Sequence, residues 1–306
     1  MAQLTSTRLI QEQNVNFISR AQFDLLEAQR RISSGERNNS YADIVADVTR
    51  LKGLKDTTSR LDSYINSINR VATRLNLVES TLSQLTEAAS ELGGNISLRR
   101  SPTGDSLDLA TMATNFLELV EQILNTTLDG SYIYAGTKND TPPIRTNISV
   151  VANYGSSSDD PFIPNSNYYT GNSAQATLRI SDGRETSYGI TGDNDAFKNL
   201  IAAAHLAKEA NVSEDPVVFD MATDRLNQAI ESIIALRASN GDSLKVMEDS
   251  RDSHEKAKDI FGSQIAEIND TDIIAESIRI SAKETVLQAT FQNFARISSL
   301  NLLSFL

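Results

Sequence analysis

Apolar residues recur every seven positions through the first third of the chain. Leu61, Ile68, Leu75, Leu82, Ala89 and Ile96 form one seam, and Tyr64, Val71, Val78, Leu85 and Leu92 form a second seam three residues on. A strict repeat of this kind holds one stripe of a helix toward a partner, which is the pattern of a coiled coil. The spacing predicts a helix beginning near Asp43 and stopping by Gly93-Gly94 or by Arg100-Ser101-Pro102, because Gly and Pro punctuate helices. A shorter helix is predicted from Asp105 to about Leu128, where Leu107, Ala110, Thr114, Leu117, Val120 and Leu124 share one face.

The second half repeats the pattern. Phe219, Leu226, Ile233, Asn240, Met247, His254, Phe261 and Ile268 are seven apart, with Ala222, Ala229, Leu236, Ser243, Ser250, Ala257 and Gln264 on the companion seam. Between Asn240 and Ala257 this seam turns polar and small. Asp215-Pro216 predicts the start, as an N-cap followed by Pro at the first helical position. Asn240-Gly241 is a point where the helix either bends or breaks.

Both ends are helical in pattern but thinner in apolar content. Ile10, Phe17, Ala21, Leu25, Ala28 and Ile32 precede Ser33-Ser34-Gly35, a glycine stop. Ile273, Ile280, Leu287 and Phe294 are seven apart, with Phe291 alongside and an apolar tail that includes Leu303. Ordering so many residues for so few apolar side chains is unfavourable for an isolated helix. Residues 1 to about 40 and about 270 to 306 are therefore expected to be poorly ordered in the monomer and to fold against each other and against neighbouring subunits on assembly, the alternative being that they dock onto the long helices of the same chain.

Between Ser131 and Asp193 the texture changes. Leu178 is the only leucine, and short β-like runs appear at 131–135, 148–151, 176–180 and 186–190, with Asp182-Gly183 as a two-residue hairpin turn. The expected fold class is mainly α: long coiled-coil-like helices from both chain halves packed together, with a small inserted β domain. The expected organisation has terminal assembly helices at 1–42 and 270–306, a long-helix bundle at 43–130 and 193–269, and an outer β domain at 131–192. Excision of 145–190 from that insert is expected to leave the helices folded.

Composition narrows the function. Lys and Arg number 28 against 40 Asp and Glu, a formal net charge of −12, so phosphate backbones and anionic lipid are repelled. The basic dyads Arg30-Arg31 and Arg99-Arg100 lack the interleaved aromatics of a base-stacking surface. Cysteine is absent, which removes thiolate nucleophiles, thiolate zinc sites and disulfides together. No run approaches the ~20 apolar residues of a membrane span, and the first residues lack an apolar leader core. The expectation is no nucleic acid, no membrane insertion, and either a cytosolic chain or one exported without a cleaved signal.

Chemistry-bearing residues are sparse. His254 falls on a heptad seam and His205 in an Ala-rich helix, neither with a second ligand at metal spacing. Asp43 and Asp47 suit a solvated first helical turn. Gly192-Asp193-Asn194-Asp195 begins like a calcium loop but lacks its glycine and distant glutamate. No phosphate cradle or nucleophile elbow is present, leaving Asp159, Asp160, Asp182 and Glu185 as scattered carboxylates on which an enzyme reading would have to rest. The expectation is no enzyme, no metal and no cofactor.

Several segments coincide with one family. Residues 31–43, reading Arg-Ile-Ser-Ser-Gly-Glu-Arg-Asn-Asn-Ser-Tyr-Ala-Asp, resemble the Arg-Leu/Ile-Ser-Ser-Gly turn of bacterial flagellins and hook-associated proteins. Ile268-Asn269-Asp270-Thr271-Asp272 with Glu276 is similar to the segment that opens the C-terminal helix of the same superfamily, and residues 298–306 are similar to its ending. Residues 129–143, with Asp129, Gly130, Tyr132, Tyr134 and Gly136, resemble the junction motif of the hook-associated proteins that join hook to filament. Tyr41-Ala42-Asp43 departs from the Ser-Asp-Asp-Pro usual there, which keeps filament flagellin as the alternative, with a non-flagellar coiled-coil scaffold behind it.

The resemblance implies a structural subunit of the bacterial flagellum, extracellular, forming the hook–filament junction ring through its terminal helices. It implies as partners further copies of the chain, the hook-associated protein FlgK, flagellin, a FlgN-type export chaperone and the flagellar type III export apparatus. The residues expected to carry assembly and partner binding are Ile10, Phe17, Ala21, Leu25, Ile32, Ile273, Ile280, Leu287, Phe291, Phe294 and Leu303. The chaperone is expected around Ile280, Leu287, Phe291 and Phe294.

Overall fold

A computed structural model describes residues 2–36, 47–101, 104, 106–144, 148, 164 and 166–303. In chain order the elements are α1 (Ala2–Ser34), α2 (Val48–Arg99), α3 (Leu109–Leu124), β1 (Thr127–Leu128), β2 (Ser131–Tyr132), β3 (Ala176–Ser181), β4 (Arg184–Tyr188), α4 (Asp195–Ser213), α5 (Pro216–Asn269) and α6 (Ile273–Leu303). The fold is mainly α with two small antiparallel hairpins, β1–β2 and β3–β4. Two compact units divide it: residues 1–61 with 256–306, and residues 62–255.

The larger unit is built on the two heptad helices. Between Ile68 and Ile96 every α2 seam residue is buried, and on α5 so are Phe219, Ala222, Leu226, Ala229, Ile233, Asn240, Met247 and His254. The helices run antiparallel here. Tyr64 stacks on His254, Asn240 bonds the carbonyl of Leu75, Arg237 pairs with Glu79, and Arg100 pairs with Asp220. α2 passes through Gly93-Gly94 and ends at Arg99, the later of the two predicted stops. α5 starts at Pro216, where Asp215 Oδ1 accepts from the Val217 amide at 2.9 Å, and it is unbroken at Asn240-Gly241.

α3 and α4 close this unit and approach each other closely. Ala202, Ala203, Ala204, Ala207 and Ala210 make the α4 side small enough for that approach. α3 is shorter than its apolar pattern at both ends. Asp108 caps it by accepting from the Thr111 amide, and Thr127-Leu128 leave the helix to pair with Ser131-Tyr132.

The insert differs from the expected string of strands. Ile133, Tyr134 and Ala135 follow β2 as buried irregular chain, because their apolar side chains enter the helical core instead of alternating across a sheet. Residues 149–151 lie outside the described residues. The Asp182-Gly183 hairpin forms as predicted, with a register shift between Arg179 and Ser181. Its Ile180 is fully buried among Ile68, Val71, Leu75 and Met247, and Tyr168 and Ile144 join the main core. The insert is therefore part of the hydrophobic interior, contrary to the expectation that 145–190 can be excised without cost to the helices.

The smaller unit contains α1 paired with α6, together with the first turns of α2 and the last turns of α5. Among the described residues its buried apolar side chains are Ala28, Leu51 and Ile268.

Candidate assembly face and junction motif

The α1–α6 pair is fixed where two sequence motifs meet. Gly35 ends α1 at φ +74°, a left-handed position that favours glycine, with its amide bonded to the Arg31 carbonyl at 2.9 Å. The Gly35 carbonyl then accepts from the Thr271 amide at 2.8 Å, and Glu36 bridges Asp270. Asp272 caps α6 by accepting from the amides of Ile274 and Ala275, both at 3.0 Å. One turn on, Glu276 is only 4% exposed and receives two bonds from Arg31, at 3.0 and 2.6 Å. Two turns further along, Lys283 pairs with Asp24 at 3.0 Å. Arg31 and Glu276 stood in the recognised motifs, but only their side-chain pairing shows that they hold the two chain ends together.

Along this pair lies a groove of about 400 Å³ lined by Phe17, Ala21, Asp24, Ala282, Lys283 and Val286. Of the predicted assembly residues, Phe17, Ile273 and Phe291 are exposed, at 50, 54 and 45%. Ala21, Leu25, Ile32, Ile280 and Leu287 are partly buried. Ile10, Phe294 and Leu303 belong to α1 and α6, and their side chains lie outside the described ones. The seven-residue spacing missed Val15, Phe23, Leu26, Ile274 and Ile278, all more than half exposed. Their signal was apolar content away from the seam.

The junction motif divides into a surface turn and a core anchor. Asp129 and Gly130 have φ of +51° and +77°, the two left-handed residues that a tight two-residue hairpin requires. Beyond them Tyr132 is half-buried. Arg74 Nη2 donates to the carbonyls of Tyr132 and Ile133 at 3.3 and 2.9 Å, and burial lowers that guanidinium below its usual pKa.

Tyr134 is fully buried. Its hydroxyl lies 2.6 Å from Thr81 Oγ1 and its ring meets Phe197 edge-on at 5.5 Å, so burial raises its pKa. Gly136 abuts the Asn172 carbonyl too closely for a Cβ. Tyr169 Oη lies 3.0 Å from the Tyr134 carbonyl and 2.9 Å from that of Asn172, and burial pushes its pKa up to about 12.

The residues weighed for chemistry take structural places. His254 Nε2 lies 2.6 Å from the Ile180 carbonyl, and His205 Nε2 lies 3.0 Å from that of Ile148. Burial lowers the His205 pKa to about 4. Asn194 caps α4 and Asp193 accepts from Ser173, so the calcium-like segment is a helix start. Asp182 accepts from Tyr64 Oη at 2.9 Å, and Glu185 sits opposite Arg179 in the hairpin. Asp43, Asp159 and Asp160 lie outside the described residues, and Asp47 gives its carbonyl to the Leu51 amide. Among the described residues no three His, Asp or Glu side chains gather to hold a metal ion, and no helix is long and apolar enough to cross a membrane.

Comparison with known proteins points the same way as the terminal motifs. The flagellar hook-associated protein 3 of Escherichia coli is 23% identical over 97% of this chain and 98% of its own length. That of Salmonella typhimurium is 22% identical over the same shares. The fold is similar to the crystal structure of Xanthomonas campestris FlgL, with a TM-score of 0.53 at 12% identity, covering 68% of this chain and 98% of that one. Residues 5–139 match the family described as the bacterial flagellin N-terminal helical region. The chain thus resembles the bacterial flagellin and hook-associated protein superfamily, and along nearly its whole length it is similar to flagellar hook-associated protein 3.

Proposed function

We propose that this chain is a structural subunit of the bacterial flagellum and forms the hook–filament junction ring. The observation that carries this reading is the paired terminal helices. α1 and α6 bond to each other through polar side chains yet leave Phe17, Phe23, Leu26, Ile274, Ile278 and Phe291 exposed. Covering such side chains contributes about 1.5–3 kcal/mol each, and apolar surface of this extent marks an interaction site. Neighbouring copies supply that cover, so the assembly face is Ile10, Phe17, Ala21, Leu25, Ile32, Ile273, Ile280, Leu287, Phe291, Phe294 and Leu303.

In this reading 1–42 and 270–306 form the inner part of the ring, 43–130 with 193–269 the helical body, and 131–192 the outer part. FlgK lies on one side of the ring and flagellin on the other. Before assembly the α6 face is held by a FlgN-type chaperone, and the chain leaves the cell through the flagellar type III apparatus.

The test is complementation of a strain made non-motile by loss of its hook–filament junction protein. The unaltered chain is expected to restore filaments, while Phe17→Asp with Phe291→Asp abolishes them and preserves the circular-dichroism signal of the helices. Normal filaments from that variant would overturn the assembly face. The alternative, a filament subunit, draws on the match to the flagellin N-terminal region. Immunogold labelling along the whole filament would establish it, whereas a single band next to the hook supports the junction.

A further inference from the structure

We propose that the β3–β4 hairpin, gripped by Tyr64 and His254, together with Asn240, sets the register in which α2 and α5 pair. A seven-residue repeat is blind to a slip of seven. If α5 moved by one heptad, about 10 Å at 1.5 Å per residue, the apolar positions of α2 between Ile68 and Leu75 would again face seam positions. Here the apolar residues of α2 and α5 gather around Ile180 of the hairpin, and a shift of seven returns apolar positions of α2 to a seam, so the apolar stripe does not choose among registers.

The polar positions do choose. Asn240 is 4% exposed and donates from Nδ2 to the Leu75 carbonyl at 3.0 Å, while its Oδ1 is buried with no hydrogen-bond partner among the described residues. A buried polar group half satisfied costs stability relative to an apolar one, the mark of a residue that specifies pairing. A helix offers a carbonyl at every turn, however, so Asn240 alone could bond one heptad away.

His254 could not. Its acceptor, the Ile180 carbonyl at 2.6 Å, belongs to β3, and the hairpin is tied to α2 independently, where Tyr64 Oη donates to Asp182 Oδ1 at 2.9 Å. Tyr64 also stacks on His254 with ring centres 5.5 Å apart. The hairpin thus acts as a gauge: one end of the contact is read from α2, the other from α5, and both are met in a single register.

The chain has no cysteine, so spin labels can be placed at will. Asn69→Cys and Glu248→Cys, both exposed positions of this unit, report the α2–α5 separation by electron–electron double resonance, with labelled chain diluted in unlabelled chain. One narrow distance is expected in the otherwise unaltered protein. Asn240→Leu with His254→Leu is expected to add a second, slipped population while helix content is kept. His254→Gln, which retains an N–H donor, is expected to keep the single distance. An unchanged single distance in the double leucine variant would overturn the proposal. So would loss of its helices, because the polar residues would then hold the fold instead of selecting a register.

Discussion

Arg31 and Glu276 are 245 positions apart in sequence, and the guanidinium Nη2 stands 2.6 Å from the carboxylate. Glu276 also meets Arg279 at 3.3 Å, but that arginine side chain is 70% exposed while Arg31 is 20% exposed. Arg31 is therefore the partner that matters inside. Arg31→Ala strands a buried carboxylate and is expected to cost about 2–4 kcal/mol, toward the lower part of what breaking a buried pair costs because Arg31 keeps some solvent. Amide exchange over residues 273–283 should accelerate accordingly, and Arg31→Met with Glu276→Leu should recover most of the loss.

Tyr134 separates the packing and bonding parts of the junction motif. Tyr134→Phe keeps the edge-on contact with Phe197 and leaves Thr81 bonded to the Leu77 and Val78 carbonyls. A loss of about 0.5–1.5 kcal/mol is expected in denaturant unfolding. Tyr134→Ala removes a ring from a closed core and should cost about 3–5 kcal/mol.

His205 makes the larger unit acid-sensitive. Its folded pKa is about 4 because burial disfavours the charged imidazole, with Lys208 adding to the effect. The unfolded chain takes up this proton below about pH 6.5. Stability from this residue is complete above that value, falls as pH drops toward 4, and is lost below it, by up to about 3 kcal/mol. The unfolding midpoint should thus drop between pH 7.5 and pH 4.5, and His205→Gln should flatten that dependence.

The insert carries its own prediction. Ile180 is fully buried against both long helices, so Ile180→Ala is expected to cost about 2–5 kcal/mol. Removal of 176–188 should expose Ile68, Val71, Leu75 and Met247 and produce aggregation or dye binding at the seam. A well-folded, monodisperse deletion chain would show that the hairpin is dispensable.

The long helices were legible because Leu61 to Ile96 repeat without a break and Phe219 to Ile268 keep the same seven-residue spacing, and a repeat states which face is buried. It does not state what covers that face. The polar stretch from Asn240 to Ala257 looked like a weak seam and is where the hairpin docks, a contact between residues 74 positions apart that no local pattern encodes. Asn240-Gly241 looked like a bend or a break. The helix continues because Asn240 bonds a carbonyl of the neighbouring helix, so its side chain does not compete for its own backbone. The motifs at 31–35 and 268–276 were legible as motifs. That they touch each other required coordinates, since charge pairing across the chain has no period.

Because α1 pairs with α6, α1 waits for a helix whose Glu276 is made 245 positions after Arg31. Until Glu276 and Lys283 have been made, Arg31 and Asp24 lack their α6 partners, and a loop spanning most of the chain must then close before the contact is gained. Such long-range closure is slow compared with the local winding of α2 or α5. The α1–α6 contact is thus among the last to be gained, after the segments between the two helices have been made.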